Sequence, residues 1–135
     1  MATAIIGEDD EDLWRRIRLH RDRRPAGWGT LEVGDLKDVL KAAERWDAVL
    51  LDSLTLWVSA REEEQALARF DDFLAGAEDL ATPFVLVSDE VGLGVVPESE
   101  SGRKFRDVLG LVNQRAAAAA EEVHLCVAGV GVRIK

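Results

Sequence analysis

Residues 47–52, Asp47-Ala48-Val49-Leu50-Leu51-Asp52, form a short apolar run closed by a carboxylate. Two further runs share its character, PFVLVS at 83–88 and VHLCVA at 123–128. All three are continuously apolar rather than alternating, the pattern of strands covered on both faces in a parallel sheet. Between them the apolar residues recur at helical spacing: Leu67, Phe70, Phe73, Leu74, Ala77 and Leu80 in one segment, and Phe105, Val108, Leu109, Val112 and Ala116 in the next. The whole pattern predicts helix over 8–23, strand over 30–33, helix over 35–45, strand over 48–52, helix over 62–81, strand over 84–88, helix over 102–121 and strand over 123–128. Alternation of this kind specifies an α/β fold, three-layered, with a mostly parallel sheet. The five alanines 116–120 read as strong helix former.

The chain of 135 residues suits a single domain, 1–135, with a modest core. Hydrophobic residues make up 47% and charged residues 32%, an ordinary composition, and no apolar run is long enough to cross a bilayer. No secretory leader pattern opens the chain, and the single cysteine, Cys126, allows no disulfide framework, so a cytoplasmic location is expected. With 26 acidic against 17 basic residues, the net charge of -9 argues against binding long nucleic acid. A single nucleotide needs only a local basic patch.

In parallel α/β sheets ligands sit beyond the carboxyl ends of the strands. Three ends are therefore candidates: Asp52 with Ser53; Ser88, Asp89 and Glu90; and Gly129-Val130-Gly131. An apolar run ending in Asp is the pattern of a Walker B strand, whose carboxylate holds Mg²⁺ directly or through water. The competing reading is that Asp52 merely caps the helix that follows.

Local positive charge concentrates at 15–24, RRIRLHRDRR, with six arginines around His20. Guanidinium groups bind phosphates, and a neutral imidazole can attack phosphorus. Neighbouring arginines disfavour the protonated ring and stabilise charge in the transition state. Against this, His20 shares a helical stripe with Leu13 and Ile17, as a packed histidine would, and the arginines could pair with the acidic run 8–12 on a solvated face. Pro25 ends the helix and turns the last of the basic segment into a loop.

Taken in order, RIRLHRDRRPAGWGTLEV, VLLDSLTLWVS, VLVSDEVGLGVVPE, FRDVLGLVNQRAAAAAEEV and VAGVGVRIK resemble the bifunctional adenosylcobinamide kinase/adenosylcobinamide-phosphate guanylyltransferase family of cobalamin biosynthesis. The resemblance runs from Ala2 to Lys135, and DEVGLGVVPE with Asn113-Gln114-Arg115 and HRDRRPAGW are its most specific parts. It implies a RecA-like P-loop fold, ATP and GTP as substrates with Mg²⁺, adenosylcobinamide and its phosphate as acceptors, and a homo-oligomer such as a trimer. His20 falls on the histidine that carries GMP in that family, and Arg21, Asp22, Arg23 and Arg24 fall on the nucleotide-contacting segment after it. Glu32 and Asp52 match acidic positions of the nucleotide site, with Asp52 as the metal residue. Ala2, Thr3 and Ala4 match the short segment after the family's second strand. Leu19 stands where a second histidine is sometimes found.

One departure is large. The family opens with a strand, a Gly-rich Walker A loop ending in Gly-Lys-Ser, and a helix, whereas no glycine of this chain is followed by Lys and then Ser or Thr. Backbone N–H groups of such a loop cradle the β- and γ-phosphates. The expectation is an N-terminally truncated member lacking a unit of roughly 30 residues, about one strand-loop-helix piece. Two other classes compete: a non-catalytic, oligomer-forming homologue with vestigial GTP binding, and a different small-molecule P-loop kinase. His20 and DEVGLGVVPE argue against the second, since phosphoryl transfer to a small molecule requires no histidine nucleophile.

Overall fold

The computed structural model describes residues 15, 18, 19, 22 and 24–135. Residues 15, 18, 19 and 22 are helical and exposed, and the rest of the helix expected over 8–23 lies outside the described residues. The elements that follow are α1 (Leu36–Ala43), β1 (Val49–Asp52), α2 (Leu54–Ser59), α3 (Glu63–Glu78), β2 (Phe84–Val87), α4 (Glu100–Ala119), β3 (His124–Val127) and β4 (Val130–Arg133).

Local chemistry accounts for the helix boundaries. Asp35 caps α1 by accepting the Lys37 N–H at 3.0 Å, Ser53 caps α2 by accepting from Leu56 at 3.3 Å, and Ser99 caps α4 by accepting from Gly102 at 3.1 Å. At the other end of α4 the Lys135 ammonium donates to the carbonyls of Ala117, Ala118 and Ala120 at 2.7–2.9 Å. A cation there satisfies carbonyls that have no partner within the helix and complements its dipole. The alanine run thus ends where Lys135 holds it.

β1 and β2 pair in parallel, with Val49 opposite Phe84 and Asp52 opposite Val87. Because side chains alternate along a strand, Val49, Leu51, Phe84 and Leu86 share one face. That face meets the core: Leu36, Val39 and Ala43 of α1, Leu54, Trp57 and Val58 of α2, Ala66, Phe70 and Phe73 of α3, and Val108, Leu109 and Val112 of α4. Aromatic rings connect these layers. Trp57 and Phe70 lie 6.2 Å apart, Phe70 and Phe73 6.0 Å, and Phe73 meets Phe84 edge-on at 5.5 Å. The Trp57 Nε1 is buried without a hydrogen-bond partner among the described residues.

Three sequence expectations are corrected and one element is added. The added element is the LTLWVS helix, for which the sequence reading held no expectation: Ser53 caps it and Leu54, Trp57 and Val58 bury one side within only six residues, too short a stretch for periodicity to register. The strand expected over 30–33 reduces to a single bridge residue, Glu32. The VHLCVA run does form a strand, yet it pairs antiparallel with β4, which the sequence reading missed, and makes no ladder with β1 or β2. Finally, Gly129-Val130-Gly131 is not a ligand-facing strand end. Ala128 (φ 51°) and Gly129 (φ 80°) form the two-residue turn of the β3–β4 hairpin, both with the positive φ that such turns require.

Among the described residues the sheet is therefore split into two pairs, β1–β2 and β3–β4. The outer face of β2 is open, with Val85 52% and Val87 39% exposed. In the hairpin, Leu125, Val127, Val130 and Val132 share a face by their register, and all but Leu125 are exposed.

The aromatic chain supplies the first prediction. Phe70→Ala removes a fully buried ring touching both Trp57 and Phe73, and is expected to destabilise the fold by about 3–5 kcal/mol. Urea denaturation monitored by tryptophan fluorescence measures this, and a loss below about 1 kcal/mol would mean the ring is not a core contact.

Candidate active site at the carboxyl ends of the parallel strands

The carboxyl ends of β1 and β2 stand side by side, and their polar residues form a connected network. Ser88 Oγ donates to Asn113 Oδ1 at 2.6 Å, Asn113 Nδ2 donates to the Asp89 carbonyl at 3.0 Å, and the Asp89 N–H donates to Thr55 Oγ1 at 2.9 Å. Thus α4, the end of β2 and the start of α2 are locked together at the sheet edge where α/β folds bind ligands.

Asp52 lies at that edge, on the sheet face opposite the core, half-buried. The capping question raised by the sequence has a clear structural answer: Ser53, not Asp52, accepts the N–H bond of α2. No hydrogen bond or ion pair engages the Asp52 carboxylate among the described residues, so its oxygens remain available. Among those residues no group of three metal-ligating side chains is gathered. An oxygen donor set of one carboxylate suits a hard cation that arrives with a nucleotide's phosphates rather than one held in a protein cage.

The segment 24–35 is positioned by several contacts. Arg24, half-buried, donates to Thr30 Oγ1 at 2.8 Å, and the Trp28 N–H closes a turn onto the Pro25 carbonyl at 3.0 Å. Gly29 lies against the Trp46 ring so closely that a Cβ there would overlap the indole. Val33 packs on the core. Arg61 stacks on Trp57 at 4.4 Å, donates to the Trp57 carbonyl at 2.6 Å and also to that of Gly34, which ties this segment to α2. Burial, and secondarily the charge of Arg69, lowers the Arg61 guanidinium pKa, with Asp35 acting in the opposite sense.

Of the residues expected to form the site, Asp22, Arg24, Glu32 and Asp52 are described, whereas Ala2, Thr3, Ala4, His20, Arg21 and Arg23 lie outside the described residues. Asp22 and Glu32 are exposed. No hydrogen bond or ion pair links Asp22, Arg24 or Glu32 to Asp52. Sequence reasoning named Ser88 and Asp89 as a strand end but gave no role to Thr55 or Asn113. The available signal was a polar Asn beside the apolar stripe formed by Leu109, Val112 and Ala116.

Asn113→Ala leaves the Ser88 hydroxyl and the Asp89 carbonyl without partners, and should lower stability by about 1–3 kcal/mol in urea denaturation. Asn113→Asp keeps the acceptor for Ser88 but sets a carboxylate oxygen against the Asp89 carbonyl, and should cost at least as much.

Comparison with known proteins bears on this site. A family model described as cobinamide kinase / cobinamide phosphate guanyltransferase matches residues 1–134. The bifunctional adenosylcobalamin biosynthesis protein CobU of Salmonella typhimurium is 41% identical over 145 residues, covering 93% of this chain and 80% of the relative. Its namesake in Escherichia coli K12 is 38% identical with the same coverage. The bifunctional adenosylcobalamin biosynthesis protein CobP of Pseudomonas aeruginosa is 36% identical over 141 residues, covering 100% of this chain and 80% of the relative. With the matched span reaching across both parallel strands, the network that joins them and the basic segment before them, this chain belongs to the cobinamide kinase / cobinamide phosphate guanyltransferase family of adenosylcobalamin biosynthesis enzymes.

Proposed function

We propose that this chain transfers GMP from GTP to the phosphate of adenosylcobinamide phosphate through a covalent intermediate on His20. An imidazole nitrogen of His20 attacks the α-phosphorus, the bond to the bridging oxygen breaks, and pyrophosphate leaves. The acceptor phosphate then attacks the same phosphorus, the P–N bond breaks and the imidazole is regenerated. Arg21, Arg23 and Arg24 neutralise the phosphate charge, and Asp22 and Glu32 belong to the same nucleotide site. By the same resemblance Ala2, Thr3 and Ala4 are assigned to that nucleotide site.

The observation that carries this reading is the uncapped carboxylate of Asp52 at the end of β1, inside a chain matched to the family from end to end. Asp52 is the residue that would hold Mg²⁺, which supplies charge neutralisation to the nucleotide phosphates. Asp52→Asn should preserve the fold while lowering Mg²⁺-dependent turnover more than about tenfold, equivalent to about 1.4 kcal/mol of barrier. Unchanged turnover at saturating Mg²⁺ would remove Asp52 from the site.

The kinase step, phosphorylation of adenosylcobinamide by a nucleoside triphosphate, depends in this reading on a strand, Gly-rich loop and helix that these 135 residues do not contain, and GMP transfer is impaired without them because the same cradle would position the pyrophosphate leaving group opposite His20. The split sheet supports it. Among the described residues β2 and β3 each have a strand partner on one side only, and Val85, Val87 and Val127 on those strands are exposed. One more parallel strand between β2 and β3, followed by its helix, would join the pairs into one sheet and give the three-layer P-loop architecture. The complete domain would then be single, cytoplasmic and homo-oligomeric, with a trimer as the expected assembly.

The test restores an N-terminal strand, Gly-rich loop and helix from a close homologue and compares the product with residues 1–135. Restoration should recover adenosylcobinamide phosphorylation, and GTP labelled at its α-phosphate should yield an acid-labile, alkali-stable protein adduct. His20→Asn in the restored protein should abolish that adduct. Equal labelling of the variant would exclude His20 as nucleophile, and robust phosphorylation by residues 1–135 alone would overturn the requirement for the added unit.

A further inference from the structure

The segment 91–97, VGLGVVP, carries no charged side chain in a chain whose residues are 32% charged. It leaves the carboxyl end of β2 directly after the Ser88–Asn113–Asp89–Thr55 network. Both of its ends are held. On one side Val91 packs on the core, the Gly92 N–H donates to Glu90 Oε1 at 2.5 Å and Arg106 donates to the Gly92 carbonyl at 3.3 Å. On the other side Arg103 donates to the carbonyls of Pro97 at 3.2 Å and Glu98 at 2.6 Å. Between these anchors Leu93 is 80%, Val95 94% and Val96 59% exposed, the first two being the most exposed large apolar side chains among the described residues. The segment turns at Gly92-Leu93, and beyond that turn the backbone groups of Val95 and Val96 make no hydrogen bond among the described residues.

A loop fixed at both ends with an apolar, unbonded tip has surrendered its freedom without burying its own apolar surface, which is the condition of a preorganised contact surface. The loop follows the carboxyl end of β2, the strand whose last residue, Val87, stands opposite Asp52 in the parallel pair. Backbone N–H groups alone can meet a phosphate, but the tip carries no cation to balance a triphosphate's charge, and the arginines of the chain's basic segment lie at 15–24 instead. The remaining substrate of the proposed reaction is a corrin macrocycle, edged with methyl groups and carboxamide arms. Methyl groups match Leu93, Val95 and Val96, and carboxamides match free backbone N–H and C=O groups.

We propose that the 93–96 loop tip is the subsite that receives the corrin ring of adenosylcobinamide phosphate, with the Arg103, Arg106 and Asn113 contacts as its supports. The inference rests on the acceptor assigned above and extends it to named residues. The loop selects the acceptor by apolar contact, while the nucleotide is selected elsewhere.

Adenosylcobinamide phosphate and GTP are titrated separately into the full chain and into the Leu93→Ser/Val95→Ser variant, with tryptophan fluorescence as the readout and light scattering for molecular mass. Neither side chain supports the core, so the variant should fold as the parent does. Its corrinoid Kd should rise about tenfold or more with GTP affinity unchanged, and a Leu93→Met/Val95→Ile variant should stay close to the parent. Equal corrinoid affinity in parent and serine variant, no corrinoid binding by the parent, or an effect on GTP instead would each overturn the proposal. So would a fall in molecular mass with corrinoid affinity unchanged, which would make the loop a contact between copies. The labelling of His20 is scored independently: an intact adduct with an unaffected corrinoid Kd defeats only the loop assignment, and a lost adduct with the tenfold change defeats only the transfer chemistry.

Discussion

The chain of ring contacts Trp57–Phe70–Phe73–Phe84 is the constraint on which the described structure depends. It begins on the helix that follows Asp52, passes through α3 and ends at the first residue of β2. A short helix of six residues has little stability of its own, so α2 is held by Trp57 and by the Ser53 cap rather than by propensity. Because Asp52 immediately precedes that cap, the position of the carboxylate follows from how Trp57 is packed in the core.

A second constraint acts at the sheet edge. Asn113 presents an acceptor to Ser88 and a donor to Asp89, and Thr55 accepts from Asp89, so three elements that are distant in sequence share one polar network. Arg115, two residues further along the same helix, donates to Asp71 at 2.6 Å and to the Leu67 carbonyl, fastening α4 to α3. The Asn113-Gln114-Arg115 segment therefore divides its work: one residue orients the loop after β2, another sets the helix that carries it. Charge on the protein follows a similar division. The acidic excess lies over helix surfaces, as in the pairs Lys41–Asp38 and Lys104–Glu100, where exposed ion pairs contribute little to stability. Its basic groups serve more specific ends in Arg24, Arg61 and Lys135, each of which bonds an oxygen across a loop or helix terminus.

The sequence by itself determined the parts that depend on short-range pattern. The stripes of α3 and α4, the apolar strands β1 and β2, and the candidacy of Asp52 and of the 88–90 strand end were all legible, since burial periodicity and strand-end chemistry are encoded within a few residues. The family resemblance was legible for the same reason, being carried by contiguous motifs. Tertiary structure alone decided the rest. Whether VHLCVA joined a parallel sheet or turned back on itself depended on a two-residue turn at Ala128-Gly129 and on where Lys135 finds its carbonyl partners, neither of which periodicity reports. Whether Asp52 capped a helix or stood free depended on which of two adjacent side chains met the Leu56 N–H, a matter of backbone direction at that turn. The role of Asn113 emerged only when α4 was laid against the end of β2, because a hydrogen bond between residues 25 apart in the chain has no signature in local sequence.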